Sequence, residues 1–185
     1  MQSIKSFFTQ QPVAAAGAAV LSGLLRLIQV INFSPVGALS IYSGARIRGL
    51  GAFVLPLLVM VVTDWILAGL FYGAGTWTWT TPFVYAAFVL NILLGRLVQK
   101  TENPVAVVGV SLLGTVQFFL TTNLGVWMTT SMYEKTLAGL VNCYVAALPF
   151  LRTTLVSDLL FVSAIFLAHH FLAQKFSPRE SVVRA

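Results

Sequence analysis

The stretch LGAFVLPLLVMVVTDWILAGL, residues 50–70, carries a single charged side chain, Asp64, in an otherwise mainly apolar run. A helix needs about 20 mainly apolar residues to cross a hydrocarbon layer roughly 30 Å thick, so this stretch reads as a transmembrane crossing. It must close its own backbone hydrogen bonds there, because the layer holds no water to do it. The rest of the chain repeats the pattern. Of its 185 residues 58% are hydrophobic and 9% charged, and the mean hydropathy is +0.89. A soluble domain carries about 25% charge to cover its surface. A soluble enzyme, a disordered tail and a nucleic-acid module are excluded on these grounds.

Working outward from residues 50–70, further crossings are expected at 12–31, 35–46, 82–98, 105–124 and 153–173, with a partial, re-entrant helix over 136–151 on the outer side. The run at 35–46 is too short to span alone. The expected fold is an all-α polytopic membrane bundle of about six transmembrane helices. It forms a single domain with an N-terminal segment 1–11, a bundle 12–173 and a tail 174–185. No internal repeat or linker is evident, and residues 12–31 are too long for the apolar part of a signal peptide.

Eleven Lys and Arg oppose five Asp and Glu, a net charge of +6. The basic residues lie singly between apolar runs, without the patch that binds nucleic acid. Lys5, Arg46, Arg48, Arg96, Lys100, Lys175, Arg179 and Arg184 alternate with loops poor in Lys and Arg. Six crossings place all of these on the cytoplasmic side together with both termini.

Charges within apolar helices are expensive and mark sites, partners or cavities. Asp64 and Asp158 are each expected roughly 9 Å below the outer surface. Arg26 lies at a similar depth and Arg152 at the mouth of the last crossing. Two readings stand for this group: a polar ligand cavity open to the outside, or internal ion pairs that hold helices together. The outer loops add Tyr72, Trp77, Trp79, Trp127, Tyr133 and Glu134, either as interfacial anchors or as a cover over a ligand. The expected substrate-binding set is Asn32, Asp64, Asn123, Trp127, Lys135, Asn142, Arg152 and Asp158. Ala14, Ala15, Ala18 and Ala19 have small-xxx-small spacing, which serves close helix packing within the chain or docking on a partner.

Other motifs carry little. His169 and His170 are adjacent, so they point about 100° apart on a helix and form no metal face. Cys143, the one cysteine, reads as a small buried residue. No phosphate-binding loop or catalytic acid, base and nucleophile set is visible. The chain is therefore expected to be no enzyme and to hold no metal or cofactor.

Residues 32–39 (NFSPVGAL), 56–64 (PLLVMVVTD), 122–127 (TNLGVW) and 133–140 (YEKTLAGL) resemble an uncharacterised family of small bacterial integral membrane proteins. That family is distantly similar to the substrate-binding S components of energy-coupling factor vitamin transporters. The Pro149-Phe150 step with Arg152 is similar to a segment in many S components. The resemblance implies a six-helix protein of the bacterial cytoplasmic membrane, capturing a vitamin or metabolite at its outer face. It also implies a transmembrane coupling subunit and ATPases as partners. A different class of reading also stands, a non-transporting accessory subunit of a larger membrane complex.

Overall fold

The computed structural model describes residues 2–28, 33–72, 77–101 and 103–176. They form six α-helices: α1 Gln2–Leu27, α2 Val36–Arg46, α3 Gly51–Leu67, α4 Thr81–Gly95, α5 Pro104–Thr129 and α6 Leu137–Phe176. A π-helical turn, Ala68–Tyr72, prolongs α3, and a 3₁₀ turn, Arg96–Val98, prolongs α4. The described residues contain no strand, so the all-α helical bundle expected from hydropathy is the observed fold. Asn32, Arg179 and Arg184 lie outside the described residues. For Lys5, Tyr72 and Lys175 only the backbone is described.

Four stretches are long and apolar enough to cross a membrane: Gly51–Phe71, Thr81–Val98, Pro104–Thr129 and Leu137–Leu172. The chain is a membrane protein on this ground. The apolar part of α1, Ala14–Leu27, is shorter. With 11 residues, α2 extends only about 16 Å. Its composition explains where it can exist. Gly37, Ala38, Ser40, Ser43, Gly44 and Ala45 are small enough to let neighbouring helices close around it, and every residue of α2 from Val36 to Ala45 is buried.

The core forms around this half-length helix. Ala38, Ile41, Tyr42 and Ala45 of α2 pack with Ala15 of α1, Val107 and Val110 of α5, and Phe161, Val162 and Ile165 of α6. The approach of α2 to α4 is closer than side chains permit. A Cβ on Gly44 would collide with the backbone carbonyl of Ile92, and one on Gly95 with the carbonyl of Ile41. Small residues at a crossing let helix backbones meet in this way. The end of α2 is tied to the same neighbour: Arg46 donates to the carbonyls of Val98 at 3.1 Å and Thr101 at 3.0 Å, and Gln99 Nε2 donates to Gly44 O at 3.0 Å. The Arg96 guanidinium lies over the Phe53 ring, 5.0 Å from its centre. Arg46, Arg96 and the starts of α3 and α5 thus share one basic end of the bundle.

α5 begins with Asn103, whose side chain accepts from Val105 N at 2.9 Å, followed by Pro104 at the first helical position. This start is preorganised, since the cap satisfies one orphan N–H and proline sets the first φ. Replacing Asn103 by Ala is expected to cost about 1 kcal/mol, read as a lowered Tm of the purified protein.

The expected break between residues 136–151 and 153–173 is absent: α6 runs unbroken for 40 residues, about 60 Å. Pro149 lies inside it and removes one backbone hydrogen bond without ending the helix. Cys143 Sγ meets Asn123 O at 3.5 Å, and Asp158 meets Thr115 at 2.7 Å. Between those contacts α5 advances about 12 Å and α6 about 22 Å along their axes. α6 therefore runs obliquely to α5 through the Pro149 region, and the space this leaves is bordered by Phe118 and Thr154.

Candidate functional site

Two buried polar centres lie among the helices. The first joins α1, α3 and α4. Arg26 donates through its two terminal nitrogens to Thr63 Oγ1 and Asp64 Oδ1, each at 2.5 Å. Tyr85 donates its hydroxyl to Asp64 Oδ2 at 2.7 Å, and Trp77 stacks on the Tyr85 ring. Thr63 donates back along its own helix to Val59 O. Both carboxylate oxygens are thus occupied within the chain, and Asp64 is buried. A buried ion pair whose remaining lone pairs are hydrogen-bonded holds its helices in register. This geometry realises the ion-pair reading of Arg26 and Asp64.

The second centre surrounds Asp158 on α6, which is 3% exposed. Thr115 donates to its Oδ2 at 2.7 Å. Its other oxygen faces the first turn of α2, where a Cβ on Gly37 would stand only 2.5 Å from Oδ1. Glycine is required here for the close approach, which brings the carboxyl group to the positive end of the α2 dipole, where Val36 N donates to Ser34 Oγ at 3.4 Å. The irregular segment leading into α2 is fixed by Ser157 Oγ donating to Ser34 O at 3.2 Å. Backbone of this kind occurs at membrane depth only where protein or a cavity receives it. Such a cavity is present, about 80 Å³ in volume, lined by Ser34, Gly37, Phe88, Asn91, Phe118, Thr154 and Asp158. Gln117 Nε2 donates to Asn91 Oδ1 at 2.7 Å and to Ala87 O at 2.8 Å, which fixes the amide. One turn along α5, the buried Ser111 hydroxyl has no hydrogen-bond partner among the described residues. Among those residues the one ion pair is Arg26–Asp64; Asp158 has no cationic partner there.

The cavity is large enough for a water molecule or a small ion and well below the roughly 300 Å³ at which drug-sized ligand pockets begin. Its chemistry is that of one carboxyl group, an amide and hydroxyls between two phenylalanine faces. It suits a small group that carries positive charge or donates hydrogen bonds.

The eight residues expected to line one outer cavity fall in separate places. Asp64 and Asp158 belong to the two centres above. Trp127 and Lys135 meet at the α5–α6 turn: Trp127 Nε1 donates to Glu134 O at 2.8 Å, and Lys135 donates to the carbonyls of Trp127 and Thr130. Asn123 lies one turn below and donates to Phe119 O in its own helix. Asn142 and Arg152 are exposed on α6, and Arg152 lies part-way along the unbroken helix. Asn32 lies outside the described residues. The alanine stripe is used inside the chain: Ala15 and Ala19 are buried, and Ala18 packs on the core. Ala14 is half-buried, and the small-xxx-small spacing serves packing within the chain, one of the two readings it allowed.

A model of one protein family matches residues 7–181, nearly the whole chain. The chain belongs to DUF6580, a family of unknown function. Comparison with the curated proteins and with the solved structures gives no match to either. Within this DUF6580 chain, Thr63, Tyr85, Asn91, Thr115 and Gln117 complete the two centres and were not singled out in the sequence. A signal for three of them existed. Asn91 stands alone in an apolar α4, and Thr115 and Gln117 interrupt the apolar face of α5, where polar groups in lipid are rarely idle.

Proposed function

We propose that this DUF6580 chain is the solute-binding membrane subunit of an uptake system, engaging a small metabolite or vitamin from the outer face. In this reading it resides in a bacterial cytoplasmic membrane with both termini in the cytoplasm. A coupling subunit and ATPases drive release, as the S-component resemblance implies. The observation that carries the proposal is the Asp158 centre: a carboxyl group almost wholly buried, without a cationic partner among the described residues, at the start of a half-length helix and beside a cavity. Ionisable groups at such depth are kept for ligands, ions or protons. Transport proteins often place these sites at the ends of discontinuous helices. The ligand set is smaller than the sequence suggested: Asp158, Asn91, Ser34 and Thr154 replace the outer-loop residues, and Asp64 serves the helix junction. A vitamin-sized solute would enter with only its cationic or donor group in the cavity, the remainder lying toward the outer halves of α4, α5 and α6.

The test is a thermal-shift screen of detergent-purified protein against amines, vitamins and nucleobases, repeated with Asp158→Asn. That variant keeps the size of the side chain and an acceptor for Thr115, so it is expected to fold. A stabilising solute should raise Tm by about 5 °C in the wild type, and the gain should disappear in Asp158→Asn. An unchanged response in the variant would sink the assignment to Asp158. No stabiliser, together with a stoichiometric membrane partner, would favour the accessory-subunit reading instead.

A further inference from the structure

A cleft of about 410 Å³ lies at the basic end of the bundle, between the start of α5 and the last turns of α6; it begins one turn along α6 from Asp158, at Val162, and shares no lining residue with the Asp158 cavity. Its walls are Val107, Val108, Val162, Phe166 and Leu167, and its polar end holds Arg46 and His170. The polar end is rigid. Arg46 is anchored to the carbonyls of Val98 and Thr101 and lies over the Phe166 ring, 5.2 Å from its centre. Beside it, His169 is oriented by Tyr42, whose hydroxyl meets Nδ1 at 3.0 Å. The rim faces outward: Leu167 is 56% exposed, and Pro104, Ser163 and His170 are exposed. The cleft therefore opens sideways to the bilayer at the depth where the apolar helices end.

We propose that this cleft binds an anionic phospholipid, with its phosphate against Arg46 and His170 and one acyl chain along Val107, Val108, Phe166 and Leu167. Two arguments lead there. An apolar groove open to lipid loses dispersion contacts if left unfilled, and an acyl chain restores them. A basic pocket at the headgroup level then selects the charge, as membrane proteins do with anionic headgroups. Arg48, Arg96, Lys100 and Glu102 also lie near this end in sequence, three basic residues against one acidic, so the field stays positive.

The experiment uses the full chain in detergent with phosphatidylglycerol, phosphatidylcholine of the same acyl chains, or glycerol phosphate. Tm and bound lipid are measured, the latter by native mass spectrometry. Phosphatidylglycerol should remain bound and raise Tm by about 5 °C, with phosphatidylcholine giving less than half of that and glycerol phosphate nothing. Val108→Trp, which fills the cleft, and Leu167→Trp, placed on its exposed rim, should each lower the phosphatidylglycerol gain to the phosphatidylcholine level. Equal gains from the two lipids would overturn the charge selection. A full response in both tryptophan variants would overturn the site, as would a response to glycerol phosphate equal to that of the lipid. None of these readouts depends on the solute proposed for Asp158.

Discussion

Gly44→Ala should be among the most destructive single substitutions in this protein, costing about 3 kcal/mol or more. The new methyl group would meet the carbonyl oxygen of Ile92 at a separation no packed structure contains, with the Ile92 carbonyl carbon at 2.8 Å and the Gly95 Cα at 3.2 Å. All of these are backbone atoms, so no rotamer change relieves the contact, and α2 and α4 must separate. Because α2 is buried on every side, separation propagates to α3, α5 and α6. The expected result is a loss of monodisperse protein in detergent or a fall in Tm above about 10 °C. Gly109→Ala is the matched control. It lies inside α5 with nothing within 4 Å of the new carbon, so the gain in helix propensity, up to about 1 kcal/mol, should leave Tm unchanged or higher. Equal effects of the two substitutions would show that the α2–α4 crossing is not the tight contact described.

The second large effect concerns Arg26 and Asp64. Arg26→Met removes the cation and leaves a buried carboxylate supported only by Tyr85, for an expected loss of about 3–5 kcal/mol. The double variant Arg26→Met with Asp64→Leu removes both charges and should recover most of that loss. Replacing a buried pair by apolar groups of similar size is often neutral. Reversible unfolding of the two single variants and the double variant isolates the coupling between the residues. A single-variant loss below about 1 kcal/mol, with no coupling, would instead mark this pair as energetically similar to an exposed one.

These two predictions differ in how visible their causes were. Asp64 and Arg26 stood out as charges in apolar runs, and their equal depth was readable from helix length alone. That they meet each other was not, since the sequence equally permitted a ligand between them. Gly44 and Gly95 carried no signal at all, because a glycine in an apolar helix looks the same whether it faces lipid, as Gly69 does, or another backbone. Asp158 was legible as a buried charge. Its partner Thr115 lies 43 residues away, and its approach to Gly37 depends on where α2 begins in depth. The division of residues 136–173 into two pieces followed from the six-crossing count, which keeps the basic sites on one side. In the folded chain neighbouring helices stabilise both sides of the proline, and the helix continues through it.

What the sequence by itself determined is the class of the protein and the approximate extent of the helices from α2 to α5; it placed the start of α1 ten residues late and divided α6. The class and those extents follow from the local match between apolar length, bilayer thickness and backbone hydrogen bonding, which neighbouring residues satisfy without distant partners. Only the tertiary structure decided that residues 36–46 form a half-length helix at the centre and that Asp64 is paired within the chain. It also decided that the alanine stripe is covered and that a cavity forms beside Asp158. Those features depend on which helix faces which, and helix pairing in a bilayer is set by close van der Waals fit between surfaces that are alike in hydropathy.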